Sequence, residues 1–185
     1  MVKNAVNITY HGLNLGVHMS KVHIVDSSDV LIGYKDRNLI NYEKDIYRST
    51  ALWVYNANQE VLLVQRKLTK ARQPGKWGPS VAGTVEEGES YDSNIEKEAF
   101  EEIGLRGQKL LKLQKVETID SVHQFTQWYA IKVDLPLSYF VPQFEEVEAL
   151  KWIAIDTLNE DYIAQPDKYV TSMNRCLEII DEVLV

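Results

Sequence analysis

Between Gly83 and Gly104 the chain carries a run that only one local structure explains. Ser90 supplies a capping hydroxyl, Gly104 a stop, and the residues between them are good helix formers. On that helix Glu98, Glu101 and Glu102 fall at i, i+3 and i+4, within an arc of about 100°. Three carboxylates on one face repel one another, so the arrangement is costly unless a cation relieves it. A hard divalent ion such as Mg2+, which prefers oxygen ligands and keeps several waters, would do so. Solvated surface glutamates are the bland alternative, since Glu favours helices and helices often display acidic faces.

The rest of the chain reads as an ordinary globular protein. It has 185 residues, 45% hydrophobic and 25% charged, enough for one domain with a substantial core. A net charge of −7 argues against binding a nucleic-acid polymer, which needs a basic face, but not against a small phosphorylated ligand held through divalent cations. The single Cys176 rules out an internal disulfide and multi-cysteine zinc sites, which fits a cytoplasmic location. No run approaches the roughly 20 apolar residues of a membrane span. Residues 1–18 lack periodicity and read as a loosely ordered extension, with Met19 a candidate natural start. Residues 19–185 then form one domain.

Short β-branched or aromatic runs predict strands at Val22 to Asp26, Val30 to Tyr34, Thr50 to Tyr55, Val61 to Gln65 and Val81 to Val85. Further strands are expected from about Leu110 to Thr118, Phe125 to Val133 and Val147 to Ile153. Asn56 to Gln59 is the expected turn of a hairpin. Helices are expected from Ser90 to Ile103, Asp156 to Ala164, and Pro166 to about Val183. In the last, Val170, Met173, Leu177, Ile180 and Leu184 recur every three or four residues. Strands interspersed with few helices imply an α/β fold, a mixed sheet between helical layers. The tryptophans read as core, with Trp77 alternatively covering a substrate base or isoprenoid tail. His123 is either a ligand or proton donor, or an ordinary structural residue.

From Gly83 to Leu105 the order is Gly83, five residues, Glu89, seven residues, then Lys97-Glu98-Ala99-Phe100-Glu101-Glu102-Ile103-Gly104-Leu105. This resembles the Nudix box of the Nudix hydrolase superfamily at every fixed position except one, where Lys97 replaces the family's arginine. The resemblance implies an α/β/α sandwich and a diphosphate hydrolase (a pyrophosphohydrolase acting on acid anhydrides) that uses Mg2+, with Mn2+ as the alternative. Its substrate would be a small nucleoside- or other X-linked diphosphate. It implies metal ligation by Glu98 and Glu102, with Glu101 a third ligand or the general base, and by the carbonyl of Gly83. It also implies a loop held by pairing of Glu89 with residue 97. Lysine lacks the planar fork of arginine, so a looser loop is expected. Because the family sometimes takes its base from a later loop, Glu146 and Glu145 are further candidates. Many relatives are dimers, so a homodimer is an alternative to the monomer.

Arg48-Ser49-Thr50-Ala51, the strand end from Leu62 to Lys67, Lys70, Pro74-Gly75-Lys76-Trp77 and Ser80-Val81-Ala82-Gly83 further resemble the isopentenyl-diphosphate isomerase-like branch. There Arg66 and Lys70 correspond to residues that contact the substrate diphosphate, a task suited to cations. The isomerases themselves need a cysteine where this chain has Ala82, and histidines where it has Thr84 and Tyr47. Their later acidic ligands fall near Val122 and Gln124. The glutamates they tend to lose are kept here at Glu98 and Glu101. The pattern points to a hydrolase on an isomerase-like scaffold. The competing expectations are a double-bond isomerase and a non-catalytic module that senses a nucleotide.

Overall fold

The computed structural model describes residues 20–119 and 122–184. The expected extension over residues 1–18, and Met19 as a start, lie outside the described residues.

Among the described residues nine strands form one mixed sheet: β1 Lys21–Val25, β2 Leu31–Asp36, β3 Ile46–Tyr55, β4 Glu60–Arg66, β5 Trp77–Gly78, β6 Val81–Thr84, β7 Leu111–Ile119, β8 His123–Lys132 and β9 Val147–Ala154. Three α-helices accompany them: α1 Tyr91–Ile103, α2 Ile155–Ala164 and α3 Met173–Leu184. The period-2 alternation of the strands sorts their side chains between two cores. Leu52, Val54, Leu62, Val64, Tyr129 and Ile131 pack with Ile95, Ala99 and Ile103 of α1. Their neighbours in sequence, Ala51, Trp53, Val61, Leu63, Trp128 and Ala130, pack with Leu158 of α2 and Met173, Leu177, Ile179 and Ile180 of α3. One helix on one face and two on the other give the expected α/β/α sandwich.

The central strand β3 exceeds its predicted span by four residues, Ile46 to Ser49. This half contains Arg48 and Ser49 and shows no apolar alternation. It is extended because β8 pairs with β3 in parallel over its full length, from Ile46↔His123 to Tyr55↔Lys132. On its other side β3 pairs with β6 from Ser49↔Thr84 to Leu52↔Val81, and meets β4 only at Tyr55↔Val61. β3 and β4 therefore diverge, and the sheet opens between them.

The single helix expected from Pro166 onward is two pieces. Pro166–Lys168 is a 3-10 turn, and α3 begins at Met173. Between them Tyr169 bridges to Trp77, and the Val170 amide donates to the Trp77 carbonyl at 2.9 Å. The segment gives up helical bonds for sheet bonds, while Val170 and Met173 still reach the core.

Candidate active site

Helix α1 is fixed at both ends by local chemistry. Ser90 Oγ accepts from the Ser93 amide at 3.1 Å, and Ser93 Oγ accepts from the Ser90 amide at 2.9 Å, a reciprocal cap. At the far end Gly104 adopts φ +72°, its amide bonding Phe100 O at 2.9 Å and the Leu105 amide bonding Ala99 O at 3.0 Å. That left-handed turn leaves carbonyls of the last helical turn to be satisfied from outside. The amides of Val141 and Gln143 do so, donating to Ile103 O at 3.0 Å and Glu102 O at 2.9 Å. The loop bearing Glu145 and Glu146 is thereby docked against the glutamate end of α1.

Glu98 lies against Gly83 so closely that a β-carbon there would sit 2.3 Å from its Cγ. Any side chain at residue 83 would expel Glu98, which explains the glycine better than backbone freedom does. The Glu98 side chain is 14% exposed, and burial, with Glu101 beside it, raises its pKa against the pull of Lys97. One turn on, Glu102 Oε2 faces the Ala82 amide at 3.4 Å. Burial pushes Glu102 up to about 8, helped by Glu98 and Glu146 and opposed by the Ala82 amide and Arg66. Glu101 stands exposed on the same face.

Lys97 does what the resemblance asks of it, by other geometry. Its ammonium reaches Glu89 Oε1 at 2.7 Å, Glu86 Oε2 at 3.4 Å and Glu98 Oε1 at 3.5 Å. Burial opposes its charge, but the three carboxylates outweigh this and raise its pKa. Glu89 also accepts from the Glu86 amide at 2.9 Å and from Asn94 Nδ2 at 2.8 Å, so the loop from Glu86 to Glu89 is tied from several sides. Lys97→Ala would leave Glu89 and Glu98 without their paired cation, while Glu86 would keep Arg37 at 3.0 Å. It is expected to cost about 1.5–3 kcal/mol, read by urea denaturation.

The opening between β3 and β4 is a cavity of about 260 Å³. Gly83, Glu102, Glu146 and Arg66 line it on the α1 side, and Ser172, Arg175 and Cys176 of the α3 segment line the other. Arg66 Nε and Nη2 donate to the Arg72 carbonyl at 3.2 and 3.1 Å, which holds its guanidinium at the rim. Lys70 is not among the lining residues; its ammonium is paired with the Glu146 carboxylate. The structure thus groups Gly83, Glu98, Glu102, Glu146 and Arg66, joins Lys70 to them through Glu146, and leaves Glu101 outward. Nothing places Glu145 in the cavity lining.

The other candidates fall elsewhere. His123 pairs with Glu117 at 2.8 Å across the β7–β8 hairpin. Trp77 packs against the α2–α3 core with Lys151 over its ring at 4.4 Å, and lines no part of the cavity. Asn94 was not singled out from the sequence, yet it is fully buried and bonds Thr50, Thr84, Glu89 and Glu98.

Among the described residues no group of three or more His, Cys, Asp or Glu side chains is already converged to hold a metal ion. The donor set nevertheless fits a divalent cation. All candidate donors are hard oxygens, and burial, with the charges of Glu98 and Glu146 close by, raises the Glu102 pKa. Glu98 currently turns toward Lys97 and Asn94.

The NUDIX domain family matches over residues 46–173. A prenyl-diphosphate phosphatase of Methanosarcina mazei is 26% identical over 151 residues, covering 80% of this chain and 88% of its own length. An isopentenyl-diphosphate Delta-isomerase of Burkholderia multivorans is 24% identical over 160 residues, with 84% and 89% covered. Nudix hydrolase 3 of Arabidopsis thaliana is 26% identical over 148 residues, 74% of this chain, which spans only 19% of that protein's length. Among solved structures, a Deinococcus radiodurans protein superposes with a TM-score of 0.74 at 18% identity, covering 85% of this chain and 97% of its own. The NUDIX domain of Shewanella oneidensis NrtR, solved with ADP ribose, gives 0.61 at 17% identity, with 82% and 94% covered. Both share the fold.

Proposed function

The chain belongs to the NUDIX domain family, and on that premise we propose that it is a Mg2+-dependent hydrolase cleaving the diphosphate linkage of a small nucleoside- or other X-linked diphosphate. The observation that carries this reading is the packing of Glu98 on Gly83 and of Glu102 on the Ala82 amide. It sets two half-buried carboxylates side by side, Glu102 in the lining of the cavity that also holds Arg66 and Glu98 directly behind its Gly83 wall. Glu98, Glu102 and the Gly83 carbonyl would hold Mg2+, or Mn2+ in its place, with Glu101 as a third ligand or base. The bound ion would neutralise diphosphate oxygens as charge builds on them.

The chain's own groups supply the rest. Arg66 at the rim would pair with the diphosphate, and Lys70 would join it on leaving Glu146. A carboxylate, Glu101 or Glu146, would take the proton from water as its oxygen bonds to phosphorus and the bridging P–O bond breaks. Glu146 stands nearer the cavity, whereas Glu101 belongs to the helix that holds the other donors.

The isomerase reading is not favoured. Tyr47, Ala82, Thr84, Val122 and Gln124, where the isomerases would need cysteine, histidine and acids, all line the cavity. Ala82 can neither give nor take a proton. A nucleotide-sensing module without turnover would not need the intact glutamate set.

Incubation with nucleotide, sugar and isoprenoid diphosphates in Mg2+ tests the proposal. Hydrolysis of at least one is expected, read as new phosphomonoester product or as orthophosphate where the diphosphate is terminal, abolished by EDTA and restored by Mn2+. No hydrolysis of any at mildly alkaline pH would overturn it, and isotope exchange at the allylic carbon of isopentenyl diphosphate would revive isomerisation. No helix among the described residues is long and apolar enough to cross a membrane.

A further inference from the structure

The side chain of Asn94 is completely buried at the junction of α1, β3 and β6, where an unpartnered amide would be expensive. All of its hydrogen-bonding capacity is directed. Its Oδ1 accepts from Thr50 Oγ1 of β3 at 2.5 Å. The Thr84 carbonyl and the two carboxylates on the other side can only accept, which turns Nδ2 toward them and leaves Oδ1 to be anchored by the Thr50 hydroxyl. Nδ2, with two hydrogens for three acceptors, lies 3.1 Å from the Thr84 carbonyl, 2.8 Å from Glu89 Oε2 and 3.3 Å from Glu98 Oε1, so at least one hydrogen is shared between two of them. One amide therefore joins the sheet to both the loop carboxylate and the carboxylate packed on Gly83.

We infer that Asn94 is a positioning residue that, anchored by Thr50, aims the Glu98 carboxylate for divalent-cation binding. The inference rests on the metal role given to Glu98 above. With Gly83 closing one side of Glu98, its Cγ has little room, and what remains free is the rotation of the carboxylate. Two donors reach Oε1, the Asn94 amide and, at 3.5 Å, the Lys97 ammonium. Lys97 is a flexible cation that also serves Glu86 and Glu89. Asn94 is short, buried and held by Thr50, so it is the donor that sets direction. Holding Oε1 leaves the second oxygen of the carboxylate as the one presented to a cation. Groups that orient a metal ligand in this way are worth about 10–100-fold in metal affinity.

The test uses Mn2+ alone, titrated into the full chain without substrate, with free Mn2+ read by electron paramagnetic resonance. Asn94→Ala is expected to weaken Mn2+ binding at least tenfold. Thr50→Val nearly keeps the volume and removes only the anchoring hydroxyl, and is expected to weaken binding by a smaller factor in the same direction. In turnover, both variants should recover part of their lost rate as Mn2+ is raised, which a merely structural defect would not do. Ser80→Ala is the control. Ser80 is equally buried, bonding the Val54 amide and the Leu62 carbonyl, and does not line the cavity. It should lower thermal stability with Mn2+ affinity unchanged. If Asn94→Ala fails to fold, Thr50→Val decides alone. Wild-type Mn2+ affinity in Thr50→Val and in any folded Asn94→Ala would overturn the inference and leave the metal site standing. Absence of Mn2+ binding to the wild-type chain would overturn both.

Discussion

Glu102→Gln is expected to lower kcat/KM for the diphosphate substrate by about three orders of magnitude. The loss of one metal-bound carboxylate removes several kcal/mol of transition-state charge stabilisation, and each 1.36 kcal/mol is a factor of ten. The same substitution is expected to stabilise the metal-free fold at alkaline pH. Glu102 is half-buried beside Glu98 and Glu146, and the burial of its carboxyl, with those two charges, pushes its pKa up to about 8. A carboxyl with a raised pKa favours the fold while protonated, and this contribution is lost as pH rises from the ordinary carboxylate range through about 8. Glutamine carries no charge at any pH. In EDTA the variant should therefore melt higher than the wild type at pH 9, by about 2–4 °C for each kcal/mol of repulsion removed, and close to it at pH 5. Scanning fluorimetry at the two pH values reads the difference, and adding Mg2+ at pH 9 should stabilise the wild type more. Activity and stability moving in opposite directions is the signature of a site that holds repulsion for a cation to relieve. If both fell together, Glu102 would be an ordinary packing residue.

The glutamate helix was legible because everything that defines it is local. Cap, periodicity and stop lie within 15 residues, and side chains three and four apart on a helix are neighbours in any fold. Asn94 sits on that helix yet carried no signal, because its role depends on Thr50 and Thr84, brought beside it by strand pairing. Glu146 was named from its loop position, but its approach to Glu102 depends on the bonds from Val141 and Gln143 to the end of α1. Lys70 and Glu146 were expected separately, as a substrate contact and a base, and the structure joins them. Opposite charges brought close pair with each other when no third charge intervenes, and one-dimensional spacing cannot reveal that.

The fold followed the same rule. Strands such as β4 and β8, buried on both faces, were found near their places, since a β-branched or aromatic run is a property of the segment itself. The first half of β3 was missed because its extension is imposed by β8. The break before α3 was missed because Val170 and Met173 satisfy helical periodicity while Tyr169 and Val170 pair with Trp77. In both cases a tertiary partner decided between two backbone conformations that the local sequence permits. The turn before β2 contains a third such case, with energetic consequences.

Asp29 adopts φ +60° there, and its side chain is 7% exposed. It accepts from Arg48 Nε of β3 at 2.7 Å, from the Tyr91 hydroxyl at the start of α1 at 3.1 Å, and from Lys115 of β7. Burial would raise its pKa, but Lys115, Arg48 and Tyr91 together hold it below the usual range. One carboxylate thus ties the β1–β2 hairpin to the central strand, the helix and the opposite edge of the sheet. Asp29→Asn tolerates the left-handed backbone and keeps the shape, so it isolates the charge. It leaves two cations facing an amide. Removing one partner of a buried ionic cluster costs about 3–5 kcal/mol, which for a chain of this size lowers Tm by roughly 10 °C. A carboxyl with a lowered pKa contributes fully above its unfolded value and loses that contribution as pH falls through its folded value. The gap between wild type and variant in urea unfolding should therefore be level from pH 6 to 8 and narrow below about pH 4. Mn2+ affinity should not change, because none of the cluster's members contacts Glu98 or Glu102. A variant that lost metal binding along with stability would show instead that the Asp29 cluster and the glutamate face of α1 behave as one unit.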